Sequence, residues 1–416
     1  MPDAGGGAGD RGAASVPRHR HQPDAATTRG RDAVTLDISA DSATLSFTEK
    51  LGQIPWSFVL LVTIVASVGF AMLYSAANGQ FDPWASRQML RFGVGLALML
   101  FIAMIDIRVW MKMTYPLYGL VMLLLIGVDL FGSMGKGAQR WIDLGFVQLQ
   151  PSEIMKITLV MALARYFHGA SLEDTGRIPY LVMPLAIVAA PVALVLAQPN
   201  LGTSMMLIMA SGAMFFLSGV RWWKFALVIA SVLIAIPLSW QFLLHDYQRD
   251  RVETFLNPDS DPLGTGYHIT QSKIAFGSGG LTGKGFLQGT QSHLNFLPEK
   301  QTDFIFTMLA EEFGLVGSVS FLVLYCLMLL FGFIIAGRCR HQFGRLLALG
   351  LTVNLFLYLF INVAMIMGLI PVVGVPLPLI SYGGTATLAV MVGFGLLMSV
   401  HVHRDVRMSR RGLGDL

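Results

Sequence analysis

An aspartate and two glutamates punctuate the segment His293–Glu312, HLNFLPEKQTDFIFTMLAEE. Asp303 closes a charged, turn-forming stretch (PEKQTD). It stands directly before Phe-Ile-Phe, the start of a long apolar run that contains Glu311 and Glu312. Carboxylates at such a boundary are suited to moving a proton to or from a reacting hydroxyl. Eight helical residues put Glu311 about 12 Å below Asp303. Nine residues, or about 900° of turn, carry Glu312 to the other side of the helix. The spacing separates Asp303, at the boundary, from the two deeper carboxylates and leaves open what each of them does.

Three other polar blocks interrupt the apolar sequence. In GKGAQRWIDLGFVQLQPSEIMK (135–156), Pro151 suits the first turn of a helix and Glu153 complements its N-terminal dipole. Lys156 lies a turn inside that helix, where a charge in hydrocarbon costs about 2.5–3.5 kcal/mol, so it needs a partner or a task. Glu153, three residues earlier, can pair with it on one face. Arg140 and Trp141 read either as site residues or as interfacial anchors, a place where Trp is enriched. QPNLGT (198–203) is a short turn between apolar runs, and PVVGVPLPLISYGGT (371–385) is a Pro/Gly-rich approach to the last run. Non-helical backbone at membrane depth is tolerated only against protein or a cavity, which predicts a pocket wall at 371–385.

The elements that must hold these blocks follow from composition. Of 416 residues, 54% are hydrophobic and 13% charged, about half the charged share of soluble domains. The class is an all-α polytopic membrane protein. Apolar stretches near 20 residues predict about ten spans: 54–76, 89–107, 114–132, 152–168, 179–197, 201–219, 223–245, 303–336 (bent at Gly314 or Gly317), 343–369 and 379–401. The Gly, Ala, Asp and Arg-rich residues 1–50 read as a disordered tail, residues 51–403 as one helical membrane domain, and 404–416 as a second tail. Cys326 and Cys339 are poorly placed to pair, and no metal-ligand spacing occurs, which leaves a divalent-cation requirement open.

Basic residues set the orientation. One set of loops carries Arg108, Lys112, Arg165, Arg177, Arg221, Lys224, Arg338, Arg340 and Arg345, and the C-terminal tail adds Arg404, Arg407, Arg410 and Arg411. The opposite set is poorer, which predicts cytoplasmic termini in a multi-pass protein of a cytoplasmic membrane. The net charge of +4 is accounted for by this asymmetry and carries no nucleic-acid signal. The long segment 246–302, between spans seven and eight, then lies outside, with Asp303 at its end. Its glycines and its Asn257-Pro258 and Asp261-Pro262 turns favour a flexible loop by composition. Ile274, Phe276, Phe286, Leu294 and Phe296 argue instead for packing on the membrane surface. No phosphate-binding loop, Gly-x-Ser-x-Gly or His-Glu-x-x-His pattern occurs, so the substrate must arrive already activated.

The blocks GAQRWIDLG…QPSEIMK, DPLGTGYHITQSKIAFGSGG, FLPEKQTDFIF and LISYGGT, in this order, resemble the SEDS (shape, elongation, division and sporulation) family of bacterial cell-wall polymerases, from about residue 54 to 404. GTQSHLNFLPEKQTDFIFTMLAEEFG and PVVGVPLPLISYGGT are more similar to its elongation branch than to its division branch. Asn200 departs from the aspartate usual in the family at that turn. The resemblance implies a glycosyltransferase that joins lipid II to a growing glycan at the outer face of the bacterial inner membrane and releases undecaprenyl pyrophosphate. It implies Asp303 as the base for the acceptor sugar hydroxyl. Substrate-binding positions follow at Arg140, Trp141, Lys156, Arg251, Gln271, Ser272 and Thr302, together with a glutamate of the PEKQTD turn expected at position 298. Arg140, Lys156 and Arg251 are the candidate cations for the leaving pyrophosphate. The resemblance also implies a class B penicillin-binding protein as partner within the elongation machinery. A lipid II flippase using the same groove is the rival reading, and a scaffold without activity is the third.

Overall fold

The computed structural model describes residues 46–135, 138–143, 148–242, 249, 265–293, 299–406 and 408. Arg251, Pro298 and the 1–45 part of the predicted tail lie outside the described residues. Ser46 opens the described chain as the N-cap of α1 (Phe47–Gln53), with Glu49 completing a capping box. Helix therefore begins before residue 50, where the sequence reading still has tail.

All ten apolar stretches are helical: α2 (Trp56–Ala76), α3 (Ala85–Met104), α4 (Ile107–Phe131), α5 (Pro151–His168), α7 (Ile178–Ala197), α8 (Leu201–Leu217), α9 (Trp222–Phe242), α12 (Ile305–Arg338), α13 (Gln342–Ile366) and α14 (Gly384–Val402). The short α6 (Leu172–Gly176) precedes α7. Among the described residues, seven of these helices are long and apolar enough to cross a membrane by length and composition; α8 and α9 have shorter apolar stretches. Helix α5 carries Glu153, Lys156 and Arg165 and is the most enclosed element, packed by α4, α8 and α13. Its charges are tolerated because protein surrounds them. Helix α9 is the opposite case, with no buried residue from Trp222 to Ala235.

Two regions depart from an all-helical chain. Residues after α4 form a small antiparallel sheet, β1 (Ser133–Gly135), β2 (Ala138–Asp143) and β3 (Gln148–Leu149), with Ser133 opposite Trp141 and Asp143 opposite Gln148. The 246–302 segment, read by composition as a flexible loop, contains α10 (Thr265–Ser278) and α11 (Thr290–His293). Helix α10 packs on α12, burying Ser272 and Ala275.

Helix α12 breaks at Gly314, whose φ of 64° and ψ of −158° are not helical. The break leaves main-chain groups without intrahelical partners, which apolar surroundings do not tolerate. The glycine-rich turn after α10 supplies them. Leu315 and Val316 N–H groups donate to the Gly280 and Leu281 carbonyls, and Lys284 and Gly285 N–H groups donate to the Glu311 and Glu312 carbonyls, all at 2.9–3.1 Å. Such close approach requires glycine: a Cβ on Gly283 would stand 2.1 Å from the Glu312 carbonyl oxygen.

Candidate active site

Asp303 lies in the turn that leads into α12. Thr302 N–H donates to the Glu299 carbonyl at 3.0 Å and its hydroxyl to the Glu299 carboxylate at 3.0 Å, so these two polar residues of PEKQTD fold the turn on itself. The same turn is bonded to the 371–385 segment residue by residue. Tyr382 N–H donates to the Gln301 carbonyl at 2.8 Å. The Ser381 hydroxyl donates to the Thr302 carbonyl at 2.6 Å, and the Asn362 amide donates to the Asp303 carbonyl at 3.0 Å. Gly374, with φ of 70°, faces the Asp303 side chain; a Cβ there would lie 3.5 Å from Oδ2. The half-buried carboxylate thus stands at the rim of a wall made by 371–385.

That wall is irregular backbone within a helical bundle, and its polar groups are met by side chains of the surrounding helices. The Tyr325 hydroxyl donates to the Pro378 carbonyl, and Gln88 Nε2 to the Ser381 carbonyl at 3.3 Å. Ser381 Oγ also accepts from Leu377 N–H at 2.8 Å. Gly69 of α2 approaches so closely that a Cβ would lie 2.6 Å from the Leu379 carbonyl oxygen. From Leu377 to Ser381 the wall is buried against protein, which is the condition for such backbone at membrane depth.

The other polar blocks meet the same wall. Arg140 donates through Nε to the Gln198 carbonyl at 3.3 Å and through Nη2 to the Pro199 carbonyl, joining β2 to the QPNLGT turn. Gly202, in that turn, packs so that a Cβ would be 2.5 Å from the Val373 carbonyl oxygen. The Thr385 hydroxyl donates to the Gln148 carbonyl at 2.7 Å, closing the circuit back to β3. Asn200 caps α8, its side chain accepting from Thr203 N–H at 3.4 Å. Capping is a task asparagine and aspartate perform about equally, which accounts for Asn200 at this turn.

Of the residues singled out from sequence, Asp303 and Thr302 share one turn, and Arg140 is bonded to the 198–199 carbonyls, next to Gly202, which packs on the wall. Trp141 is half-buried on β2, and Gln271 half-buried on α10. One expectation is corrected, and two other site candidates have partners within the fold. Position 298 holds no glutamate: it is Pro298, whose ring offers no carboxylate and, lacking an N–H, no donor to a substrate. The carboxylate of PEKQTD stands one residue later, at Glu299, where it accepts from Thr302. Ser272 faces the interior: its hydroxyl lies 2.9 Å from the Thr307 hydroxyl and 3.3 Å from the Ile366 carbonyl, so it fastens α10 to α12 and α13. Lys156 is 2% exposed and pairs with Glu153 at 2.7 Å, under the Tyr358 ring at 4.2 Å, while the Tyr358 hydroxyl donates to the other Glu153 oxygen at 2.5 Å. The buried charge has its partner within the fold. Glu311 is likewise a structural charge, bonded by Lys284 at 2.7 Å and Gln291 N–H at 2.9 Å. Among the described residues, no cluster of three or more His, Cys, Asp or Glu could hold a metal.

Sequence reasoning passed over Asn362, Ser381, Gly374 and the Arg91–Tyr382 stack, in which the guanidinium lies 4.7 Å from the ring centroid beside Gly384. Asn362 had a usable signal, since an amide within a membrane helix calls for a partner. Ser381, Tyr382 and Gly374 belonged to the predicted pocket wall without being named. The arrangement offers one carboxylate of fixed backbone, at a polar rim, beside a glycine-faced wall.

Comparison with known proteins places this geometry. A family model described as cell cycle protein, covering FtsW, RodA and SpoVE, matches residues 55–406. The chain is 47% identical over 352 residues to the peptidoglycan glycosyltransferase MrdB of Escherichia coli strain K12, covering 84% of this chain and 94% of that one. It is 33% identical to the probable peptidoglycan glycosyltransferase FtsW of Trichlorobacter lovleyi, over 84% and 94% of the two chains. A chain of a peptidoglycan synthase complex, solved for its coordination of polymerization and crosslinking, is similar with TM-score 0.74 and 32% identity, over 84% of this chain and 98% of that one. The rod shape determining protein RodA of Thermus thermophilus is similar with TM-score 0.63 and 28% identity, over 84% and 97%.

Proposed function

The chain belongs to the cell cycle protein family of FtsW, RodA and SpoVE, and from that membership we propose that it is a peptidoglycan glycosyltransferase of cell elongation, polymerising lipid II. It is a multi-pass membrane protein. The higher identity to MrdB than to FtsW supports the elongation branch. The basic-loop asymmetry supports cytoplasmic termini in an inner membrane, with Asp303 at the outer face.

The reaction forms a bond between an acceptor GlcNAc 4-hydroxyl oxygen and the anomeric carbon of the lipid-linked sugar. The bond from that carbon to pyrophosphate breaks, and the leaving group departs with its electron pair. Asp303 takes the hydroxyl proton, an assistance worth about 10²–10⁴-fold. The single observation that carries this role is the anchoring of the Asp303 turn to the 371–385 wall. Pyrophosphate needs no second carboxyl as acid, in keeping with the structural role of Glu311; its charge calls for cations. Arg140, whose guanidinium already grips the 198–199 turn, and Arg251 remain the site cations in this reading, and Lys156 serves the fold. A class B penicillin-binding protein is the partner that would supply crosslinking, a reading supported by the similarity to a chain of a synthase complex.

Radiolabelled lipid II supplied to the purified protein in detergent tests the reading. Glycan polymer is expected from the native chain and should fall by at least about 10²-fold in Asp303→Asn; headgroup transfer across vesicles without polymer would establish the flippase instead.

A further inference from the structure

Asn362 is completely buried in α13, a helix of 25 residues that also buries Thr352 and Asn354. Both N–H groups of its amide are engaged: Nδ2 donates to the Asp303 carbonyl at 3.0 Å and to the Val375 carbonyl at 2.8 Å. The amide orientation follows from these partners, because the reverse would face an oxygen to two carbonyls. A single side chain therefore joins the turn of the candidate base to the turn that contains Gly374.

The peptide plane preceding the Asp303 Cα is held at its carbonyl by Ser381, through Thr302 at 2.6 Å. Asn362 holds the plane that follows. With both planes held, φ and ψ of Asp303 are fixed. A general base must come within about 2.6–3.2 Å of the proton it takes. A misplacement of about 1 Å, even from a remote cause, costs about 10²-fold. The wall faced by the carboxylate is Gly374, one residue before the second carbonyl that Asn362 holds.

We propose that Asn362 is a positioning residue for Asp303, setting the carboxylate's place against the Gly374 wall through the two carbonyls it joins. The proposal rests on the reading of Asp303 as the base. Phe304 N–H, in the same following plane, donates to the Glu299 carbonyl at 3.5 Å, so the 3.0 Å bond from Asn362 is the shorter of the two that hold it, and Ser381 and Asn362 act on different dihedral angles. Asn362 touches neither substrate nor the reacting atoms in this role.

The test uses the full-length protein in detergent with a lipid II concentration series. Asn362→Ala is expected to lower kcat about 10–100-fold while KM for lipid II stays within about twofold, because binding does not depend on the base. Asp303→Asn/Asn362→Ala is expected to be no slower than Asp303→Asn alone, since nothing is left to position. Asn362→Asp keeps the side-chain volume but not both donated bonds, so its kcat should also fall, with thermal unfolding showing that the variant is folded. Native kcat in folded Asn362→Asp or Asn362→Ala overturns the proposal, as does a multiplied loss in the double variant. Failure of both single variants to fold would make the role structural and overturn it too. Full turnover by Asp303→Asn would remove the base itself; an inactive Asp303→Asn beside a fully active Asn362→Asp would remove only the positioning role.

Discussion

Lys284 places its ammonium 2.7 Å from the buried Glu311 carboxylate, across the break in α12, and its own N–H donates to the Glu311 carbonyl at 3.0 Å. Main chain and side chain of one residue thus lock the glycine-rich turn onto the helix below Asp303. Lys284→Met should leave the carboxylate short of its cation and lower stability by about 1–3 kcal/mol. Lys284→Arg should lose less. A thermal-unfolding midpoint unchanged in Lys284→Met would show that the lock contributes nothing.

Gly314 makes the break that the turn fills. Its φ of 64° disfavours a side chain, and a Cβ would lie 2.3 Å from the Gly283 nitrogen. Gly314→Ala should therefore cost at least about 1–3 kcal/mol and detach the turn from α12. Increased protease cleavage between residues 277 and 290 is the expected sign. A native midpoint and cleavage pattern would be incompatible with this contact.

Asp303→Asn keeps shape and polarity and removes the base. Polymer formation should fall by at least about 10²-fold, with protein level and lipid II binding preserved. The rate is to be read at saturating lipid II, and near-native turnover would sink the assignment.

Glu153, Lys156 and Tyr358 make a closed buried group, so removing one charge should hurt more than removing both. Lys156→Met alone should cost about 3–5 kcal/mol, whereas Glu153→Gln/Lys156→Met should recover most of it. Turnover should return with stability in the double variant. If the double variant is stable yet inactive at limiting lipid II, Lys156 acts on the substrate after all.

His341 caps α13, its Nδ1 accepting from Gly344 N–H at 2.9 Å, and burial pulls its pKa down to about 4. An unfolded histidine binds its proton near pH 6.5, so between the two values the unfolded state holds more protons. The His341 contribution is thus complete above about pH 6.5 and is lost as pH falls through about 4. His341→Asn keeps a capping oxygen without this titration. Its unfolding midpoint should fall less steeply than the native one from pH 7 to 4.5. Parallel curves would refute the role.

Residue order alone determined the membrane class and the helical character of the ten apolar stretches, and it narrowed the break in α12 to Gly314 or Gly317. Each follows from local physics: apolar runs, turn residues, and helical rise and rotation act over a few residues. The Glu153–Lys156 pair was legible for the same reason, as its members share one helix face. The tertiary structure alone decided that α10 packs into the bundle, because a loop's composition does not say what its apolar positions will meet. It also decided that Lys284 answers Glu311, that Ser272 faces inward, and that Ser381 and Asn362 hold the two planes flanking the Asp303 Cα. Those contacts join residues 27 to 94 positions apart. No periodicity reaches that far, and each forms only when the helices have closed and every buried donor must find an acceptor.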